Sequence, residues 1–590
     1  MIWLETPWDS WHYPFISGNR VLKLNPIQGL SENMKGSRAL LKMLEDRGVE
    51  TMFGYPGGAV IPIYDEIMES SIRHVLVRHE QCAAHMADGF ARACGIPGVC
   101  LATSGPGATN LVTGIATAYA DSIPMIALTG QVGTNSLGLG AFQEVDAYSL
   151  MMPITKHNFR VLEIDRLPHA IIEAWEVCQS GRPGPVHIDI PVDQVNAEID
   201  ESLFNERFGV KPVAEDLSGV QEAARWIKEA QRPVILAGGG AIGSNASEEI
   251  TKLAELCNIP VITPLMGIGV IPTSHPLCMG SLGMHGRMCS LEVFKDSDLV
   301  IAIGCKFSDR TYSPQTSPRN KCKVIHIEID HTEFGKHGCE SIDLLCDAKK
   351  GTALILEALG GHSGGHEDWS KVAKKTKDRC SCNYDYDTSP IVPQKVMFEI
   401  NKALRGDDYI ITTDVGQNQM WAMHYLEIER PRQLISSGGF GTMGFGLPSA
   451  IGAKAACPER KVLTVVGDGG LQMVIQELAT SVAEDLPVVI CLLNNGWLGM
   501  VRQWQKLFWD KRYSGTLLEA NPDFVKIAEA YGAKGIKVDK AGEIGDAFKE
   551  AFDCGRTCLV EIMVDCEEDI TPMIPANPQI PLIKGRCKFQ

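Results

Sequence analysis

The sequence predicts an α/β protein made of three doubly wound, parallel-sheet domains. Short apolar runs rich in β-branched residues alternate with segments of helical composition, which is the pattern of buried parallel strands and crossover helices. The length of 590 residues allows three or four domains of ~150 residues each. Two stretches with the composition of linkers divide the chain, and the three units that remain resemble one another in pattern.

The boundaries follow from these changes in composition. The weakly periodic, charged stretch 196–217 and the glycine-rich stretch 360–368 are predicted linkers. Residues 1–33 lack periodicity and lack the apolar core of a secretory signal, so we expect an irregular and dispensable extension, followed by a helix that opens at Met34. The predicted domains are residues 34–195, 218–359 and 369–590.

Composition excludes several classes of function. A net charge of −17 disfavours binding to nucleic acid or to anionic membranes. No run of about 18 apolar residues is present, so no membrane span is predicted. The 19 cysteines include no CxxC pair, which argues against a cysteine zinc site and against a disulfide scaffold. We therefore expect a protein of the reducing cytoplasm.

Ten apolar runs are the predicted strands. They are Val75–Val77, Val99–Thr103, Ile126–Thr129 and Val186–Ile190 in the first unit, Val234–Leu236, Val261–Thr263, Leu299–Ile303 and Val324–Ile329 in the second, and Val462–Val466 and Val488–Leu493 in the third. A helix is predicted over Leu471–Glu484 between the last two strands. Parallel strands end at one edge of a sheet, where α/β proteins bind ligands.

Polar residues follow both strands of the third unit. Asp468 lies after the first strand and Asn495 after the second, so we expect both side chains at one edge of the sheet. Carboxylate and amide oxygens suit Mg²⁺, and the glycines 467, 469 and 470 allow backbone N–H groups to approach a diphosphate. The alternative is that each segment is an ordinary turn.

Two further features allow alternative interpretations. Glu80 follows a predicted strand, with a helix expected to open at Ala83; it is a candidate catalytic acid, or only a carboxylate placed favourably near a helix N-terminus. Gly238 to Gly243 fits G-x-G-x-x-G, but no acidic partner is clearly placed about 20 residues later, so a standard NAD site is not supported.

Motifs spread in order along the chain resemble those of the acetolactate synthase (acetohydroxyacid synthase) family of thiamine-diphosphate enzymes. The matching segments are FGYPGGA at 53–59, RHEQ at 78–81, TSGPGATN at 103–110, AFQE at 141–144, PITKHNF at 153–159, SGRPGPV at 180–186, LGMHG at 282–286, GGFGTMGFGLP at 438–448 and MVRQWQ at 500–505. Many ordered matches are more specific than any single motif.

The resemblance implies a carboligase of branched-chain amino-acid biosynthesis. Such an enzyme decarboxylates pyruvate and joins the two-carbon product to a second pyruvate or to 2-ketobutyrate. The implied cofactors are thiamine diphosphate, Mg²⁺ and FAD, with the FAD held mainly by the central domain. The implied assembly is a homodimer or a dimer of dimers, with active sites between subunits and a small regulatory subunit as a partner.

The resemblance also implies roles for individual residues. Glu80 would bond N1′ of the aminopyrimidine, Met443 would hold the cofactor bent, and Phe142 and Gln143 would lie near the reacting carbon. Asp468, Asn495 and the carbonyl of Trp497 would bind the metal. The implied thiamine-diphosphate positions are Val415, Gly416, Gln417, Asn418, Gly441, Met443, Gly467, Asp468, Gly469, Gly470, Asn495, Trp497, Leu498, Gly499 and Met500.

Substrate and flavin positions complete the set. Trp504, Val501 and Met500 would contact the substrate, although an apolar helix face packed in the core explains them equally. The implied FAD positions are Arg182, Gly238, Gly239, Gly240, Met284, His285, Asp309, Arg310, Glu328 and Asp347. Lys306 and Ser308 depart from the residues usual in the family beside Asp309.

Other functional classes remain as alternatives. One is another thiamine-diphosphate-dependent decarboxylase or oxidase that acts on 2-keto acids, and the other is a cofactor-binding paralogue without activity. The retained RQWQ segment argues against most of the first group. Loss of Glu80, Asp468 or Asn495 would favour the second, and all three residues are present.

Overall fold

The computed structural model describes residues 33–205, 214–318, 322–361, 364–380, 387–575 and 579–585. Its framework is three six-stranded sheets, and all strand pairs within them are parallel. Successive residues of the central strands enter different hydrophobic clusters, so both faces of each sheet are covered. The predicted α/β class with three parallel-sheet domains is confirmed. Residues 1–32 of the predicted extension lie outside the described residues.

The first unit has the sheet order β3-β2-β4-β5-β7-β6, and β1 pairs antiparallel with β8. The strands are β1 (Asn33–Lys35), β2 (Thr51–Tyr55), β3 (Arg73–Leu76), β4 (Gly98–Ala102), β5 (Met125–Gln131), β6 (His157–Arg160), β7 (Pro185–Pro191) and β8 (Glu198–Asp200). The helices are α1 (Gly36–Glu45), α2 (Ile61–Ile67), α3 (Glu80–Cys94), α4 (Pro106–Asn110), α5 (Val112–Asp121), α6 (Ala147–Met151), α7 (Leu167–Gln179) and α8 (Val192–Asn196).

The central unit has the sheet order β11-β10-β9-β12-β13-β14. The strands are β9 (Pro233–Ala237), β10 (Val261–Thr263), β11 (Cys278–Ser281), β12 (Leu299–Ile303), β13 (Lys323–Glu328) and β14 (Glu340–Leu345). The helices are α9 (Val220–Glu229), α10 (Gly239–Gly243), α11 (Ser247–Cys257), α12 (Met288–Lys295), α13 (Ala348–Leu359) and α14 (Glu367–Arg379). Trp369 of α14 packs into this unit and donates a hydrogen bond to the Pro233 carbonyl, 2.9 Å away.

The third unit has the sheet order β16-β15-β17-β18-β20-β19. The strands are β15 (Tyr409–Thr413), β16 (Leu434–Ile435), β17 (Lys461–Gly467), β18 (Val489–Asn494), β19 (Lys534–Val538) and β20 (Cys558–Met563). The helices are α15 (Pro393–Leu404), α16 (Gln417–Tyr425), α17 (Gly446–Ala456), α18 (Asp468–Gln472), α19 (Glu477–Ala483), α20 (Gly499–Phe508), α21 (Phe524–Ala530) and α22 (Ile544–Asp553).

The three sheets do not share one topology. Numbered within each unit's own sheet, the first and third have the order 2-1-3-4-6-5, whereas the central sheet has the order 3-2-1-4-5-6. The central order is that of dinucleotide-binding folds, in which the ligand lies where the strand order reverses. In the central unit that point lies between β9 and β12, and in the third unit it lies between β15 and β17.

Three local predictions were wrong. Helix α3 begins at Glu80 and not at Ala83, because the His79 ring accepts the Gln81 N–H and caps the helix. Met34 lies in β1, since it pairs with Ile199 of β8, and α1 begins at Gly36. The predicted single helix over 471–484 is two helices, because tight i→i+3 bonds at Val474 and Glu477 turn the chain between them.

The first and third units are packed tightly against each other through α3 and α17. A Cβ on Gly89 would lie 2.2 Å from the Ser449 carbonyl oxygen, and one on Gly452 would lie 1.9 Å from that of Met86. The two helix backbones therefore touch where glycine removes the side chain. One hydrophobic cluster runs through both units, so they are not independent bodies joined only by a linker. Within the described residues, every helix is too short or too polar to cross a bilayer.

Candidate active site

The best-defined site lies at the carboxyl edge of the third sheet. Strands β15 and β17 are neighbours there, with Thr413 opposite Val465, so the segments that follow them adjoin. Asp468 is the first residue of α18 and is 2% exposed, and β18 ends beside it at Asn494. Asp468 and Asn495 therefore follow neighbouring strands that end at this one edge of the sheet.

Asp468 and Asn495 are joined through the turn after β18. One oxygen of Asp468, Oδ2, accepts hydrogen bonds from the Gly496 N–H at 2.9 Å and from the Asn521 side-chain amide at 2.7 Å. Burial raises the pKa of Asp468, and these hydrogen bonds oppose that shift. Asn495 Oδ1 accepts the Trp497 N–H at 3.0 Å. The two residues place hard oxygen donors around one turn, as a magnesium site requires.

Asp414 connects the loops of this edge, although no sequence motif pointed to it. Its fully buried carboxylate accepts the N–H groups of Val415, Gly444 and Gly446 at 2.8–3.1 Å. It thereby ties the loop after β15 to the loop that carries Met443. Burial raises the pKa of Asp414 and the three N–H groups oppose that rise. Asp414 was missed because strand β15 itself was not predicted.

Glycines shape the surface between these loops. Gly416 and Gly441 have φ of 123° and 69°, which a side chain rarely allows. A Cβ on Gly470 would lie 2.3 Å from Asp414 Oδ1, and one on Gly499 would lie 2.1 Å from Gln417 Oε1. The Oδ1 atom of Asn418 is buried and has no partner among the described residues. Backbone N–H groups at helix starts, where the glycines carry no side chain, suit a diphosphate group.

Helix α20 directly follows the turn after β18 that contains Asn495 and Trp497. Its Gln503 is fully buried and accepts the Gln417 amide at 2.9 Å, which joins the helix to the loop after β15. Met500 packs partly against the core of the third unit, while Val501 is 42% exposed. Trp504 is half-buried, and its buried Nε1 lacks a partner among the described residues. The helix therefore has one face in the core and another that is open.

A second group of predicted residues lies at the carboxyl edge of the first sheet. Glu80 accepts a hydrogen bond from the Asn110 amide at 3.0 Å, and its other oxygen lies beside Gly107. Tyr64 lies near Glu80, and its pKa is raised by burial and by the negative charge of Glu80. Gln143 has a φ of 59° and packs against Gly105, whereas the neighbouring ring of Phe142 is 89% exposed.

Met443 lies on the third unit, in a loop that the first unit holds in place. Its Cε lies 3.6 Å from the position of a Cβ on Gly469. Gly438 and Gly439 lie upstream in the same loop, and their N–H groups donate to Asp121 of the first unit at 3.1 and 2.7 Å. Arg92 pairs with Asp121 at 2.8 Å and also with buried Asp88. This buried ion network fixes the glycine loop against the first unit.

Glu477 makes a second connection that the sequence did not reveal. It is fully buried in α19 and accepts the Arg78 N–H at 3.1 Å, two residues before Glu80. Thr480 also donates to it at 2.7 Å. The sequence gives no signal for this role, because the buried side of α19 is largely polar, and only the structure identifies the partner of Glu477. Glu477 holds the end of β3 and hence the start of α3.

In the central unit, the glycines after β9 contact protein backbone closely. A Cβ on Gly238 would lie 2.3 Å from the Gly304 carbonyl oxygen, and one on Gly240 would lie 2.9 Å from the Gly304 Cα. A Cβ on Gly239 would instead meet the Met266 side chain at 3.1 Å. These glycines therefore allow α10 to pack against the loop after β12, at the point where the strand order reverses.

The other central positions fall into two groups. Arg182 bridges from the first unit to Asp330 and Glu333 at 3.2 and 3.4 Å. Asp347 caps α13 by accepting the Lys350 N–H at 3.1 Å, which is a structural role. The remaining positions surround the carboxyl edge. Met284 donates its N–H to the carbonyl of exposed Arg310, Asp309 is exposed and Glu328 is buried. His285 is also buried, its Nε2 has no partner in the part of the chain that the structure describes, and burial lowers its pKa to about 3.

Comparison with known families agrees with this geometry. This chain matches three family models of thiamine pyrophosphate enzymes. They are the N-terminal TPP binding domain over residues 34–150, the central domain over 220–359 and the C-terminal TPP binding domain over 414–562. A "Probable acetolactate synthase large subunit" of Methanocaldococcus jannaschii is 48% identical over 564 residues, which cover 93% of this chain and 94% of that protein.

The chain belongs to the acetolactate synthase large-subunit family. Bacterial members agree: the acetolactate synthase large subunit of Corynebacterium glutamicum is 43% identical over 92% of this chain and 89% of its own length. The isozyme 3 large subunit of Escherichia coli is 40% identical over 92% of this chain and 97% of its own length. The family resemblance predicted from motifs is confirmed.

The anchoring role of Asp414 can be tested by Asp414→Asn. The variant keeps the side-chain shape but turns an amide N–H₂ toward buried N–H donors, so we expect a loss of roughly 1–3 kcal/mol in stability. Denaturant unfolding should report it, and hydrogen exchange at Gly444 and Gly446 should accelerate. Asp485→Asn is the matched control, because Asp485 is exposed and has a φ of 51°, which asparagine tolerates. Equal stability and exchange in both variants would contradict the role.

Proposed function

We propose that the chain is the catalytic subunit of an acetolactate synthase that acts in branched-chain amino-acid biosynthesis. Two pyruvate molecules and a proton give 2-acetolactate and CO₂, and 2-ketobutyrate replaces the second pyruvate to give 2-aceto-2-hydroxybutyrate. The observation that supports this most directly is the position of Asp468 and Asn495 after neighbouring strands at the carboxyl edge of the third sheet, next to its reversal point. The three units of the chain also all match thiamine pyrophosphate enzymes.

The third unit fits the diphosphate end of the cofactor. Asp468, Asn495 and the Trp497 carbonyl would bind Mg²⁺, and the glycine-lined loops after β15 and β17 would receive the phosphates. Thiamine diphosphate, when bound, supplies the nucleophilic carbon and the electron sink for decarboxylation. Gln503 and Asp414 keep the surrounding loops in one arrangement, so binding needs little reorganisation of the chain.

Glu80 is proposed to act on the other end of the cofactor. Asn110 occupies one oxygen of its carboxyl group, and the other lies beside Gly107, where no side chain blocks it. Glu80 would hold a proton against N1′ of the aminopyrimidine and so set its tautomer. Met443, beside Gly469, would support the cofactor between its two ends.

The site is proposed to be completed by a second copy of the chain. Phe142 and Gln143 lie on the same unit as Glu80, yet the Phe142 ring is 89% exposed in the single chain. A large exposed aromatic side chain beside catalytic-type groups is typical of a surface that a partner covers. We therefore propose a homodimer in which Glu80 of one chain serves the diphosphate site of the other.

A small regulatory subunit is a further proposed partner, because relatives are named large subunits.

FAD is proposed to bind the central unit. The 3-2-1-4-5-6 strand order supports a dinucleotide at the carboxyl edge, near exposed Arg310 and near the buried His285 Nε2, which has no partner within the described ranges. Lys306, which departs from the family, donates to the Ala120 carbonyl at 2.8 Å and is thus used between units. Since the reaction is redox-neutral, the flavin would take no part as an electron carrier. We also propose a cytoplasmic location, because no disulfide joins any two of the described cysteines.

The activity itself is tested by product analysis with Glu80→Gln. Wild-type protein with thiamine diphosphate, Mg²⁺ and FAD should convert pyruvate to acetolactate, and the variant should be slower by roughly 10²–10⁴-fold because amide replaces a proton-holding carboxyl. Affinity for thiamine diphosphate should change much less. Glu69→Gln on the exposed surface is the control. Acetate or acetaldehyde as the main product would point to an oxidase or a decarboxylase instead.

The proposed assembly is tested by mixing two inactive chains, Glu80→Gln and Asp468→Asn. If each site takes Glu80 and Asp468 from different chains, mixed dimers contain one intact site. Random pairing should then restore about a quarter of wild-type activity, since half of the dimers are mixed and one of their two sites is intact. Co-expressed and separately purified samples should be compared at equal concentration. No recovery in verified mixed dimers would place both residues in one chain's site.

Trp504 is proposed to favour 2-ketobutyrate as the second substrate. A half-buried indole can contact its extra methyl group, and one methylene in an apolar pocket is worth about 1–3 kcal/mol. Trp504→Leu should lower the acetohydroxybutyrate-to-acetolactate ratio by roughly tenfold or more in competition assays. Trp509→Leu, one turn away and 61% exposed, is the matched control. An unchanged ratio would leave Trp504 as a core residue only.

A further inference from the structure

Two histidines and an aspartate form a compact cluster in the central unit, away from the diphosphate site. His326 of β13 and Asp343 of β14 are direct partners in the parallel ladder, and His337 lies in the turn that leads into β14. One potential ligand atom from each residue lies within 4.8 Å of those from the other two. The cluster therefore combines two fixed strand positions with one position on an adaptable turn.

Each member of the cluster has a buried polar atom with no partner among the described residues. These atoms are His326 Nδ1, His337 Nε2 and Asp343 Oδ1. The two histidines are 0% and 5% exposed, so water does not compensate them at the protein surface. Three unsatisfied atoms in one place would destabilise the fold, since each costs about 1–3 kcal/mol. A bound ligand that all three share removes this cost.

The hydrogen bonds around the cluster prepare His326 to be a ligand. Its Nε2 lies 3.2 Å from the Cys305 carbonyl oxygen, so Nε2 carries the proton and Nδ1 keeps its lone pair. His337 accepts the Cys339 N–H at Nδ1, 3.1 Å away, and binding through Nε2 requires that this N–H turn aside. Gly338 lies between them with a φ of 68° and open space around it, which allows the peptide to turn.

The surroundings favour a transition metal over Mg²⁺ or Ca²⁺. Two imidazoles and one carboxylate are ligands of zinc-type ions, whereas Mg²⁺ and Ca²⁺ prefer oxygen alone. Aromatic rings form the walls: Phe307 and Phe334 both lie 5.2 Å from the His326 ring, between centroids, and Phe307 lies 5.0 Å from His337.

We propose that His326, His337 and Asp343 bind one divalent transition-metal ion of the zinc class. The ion would fasten the turn before β14 to the sheet, beside Glu328 two residues along β13. The role is structural, because the described walls of the site are apolar and it lies in a different unit from Asp468. A search for paired cysteines could not find it, since all three ligands are of other types and only strand pairing brings them together.

The test uses the full chain, freed of metal by a chelator and kept without thiamine diphosphate. Zn²⁺ is titrated in competition with a chromogenic chelator, and the bound metal is counted by mass spectrometry. We expect one tight site per chain and a higher unfolding temperature with Zn²⁺. His337→Gln and Asp343→Asn should each weaken this site by roughly a hundredfold or more, since even outer-sphere changes cost 10–100-fold.

Two controls separate this site from others in the chain. His331→Gln removes an exposed histidine from the same turn and should keep the site, and Asp468→Asn should keep it as well. Binding to cysteines would be equal in all variants, so only the difference between variants counts. Co²⁺ should give the strong visible absorption of a low-coordinate site in the wild type and not in His337→Gln. Absence of a tight site, or equal affinity in folded His337→Gln and wild type, would overturn the proposal.

Discussion

The arrangement of the candidate site depends on one buried carboxylate, that of Asp414. Backbone N–H groups at the start of a loop need acceptors, and at the reversal point of the third sheet they point inward, away from water. Asp414 accepts three of them from two separate loops, so the loop after β15 and the loop that carries Met443 cannot move independently. The full desolvation of a charge is tolerated there because these donors replace its hydration.

The next constraint is the rigid union of the first and third units within one chain. Glycine contacts between α3 and α17, the Asp88–Arg92–Asp121 network and Glu477 all cross this boundary. Glu80 starts α3, so its position follows from packing that the third unit helps to determine. This rigidity leaves the exposed Phe142 edge of the first unit as a surface for another chain. The proposed dimer would cover this edge.

The central unit differs from its neighbours in topology, and its two proposed ligands depend on that difference. The 3-2-1-4-5-6 order places the glycines after β9 beside Gly304 at the reversal point, which supports a dinucleotide at that edge. At the far edge of the same sheet, pairing of β13 with β14 sets His326 beside Asp343. Neither arrangement can be derived from apolar runs, because a run identifies a strand but not its neighbours.

The amino-acid sequence by itself determined the α/β class, ten of the strands and the position of Asp468 and Asn495 at one edge of the third sheet, because β-branched runs and turn residues act locally. Strands β2, β15 and β20 escaped prediction, and helix starts were missed where a side chain such as His79 acts as the cap. Only the tertiary structure supplied the partners of Asp414 and Glu477 and set His326 beside Asp343. These partners lie on other elements of the fold. The role of a buried polar residue depends on which atoms replace water as its hydrogen-bond partners, and the local sequence does not specify them.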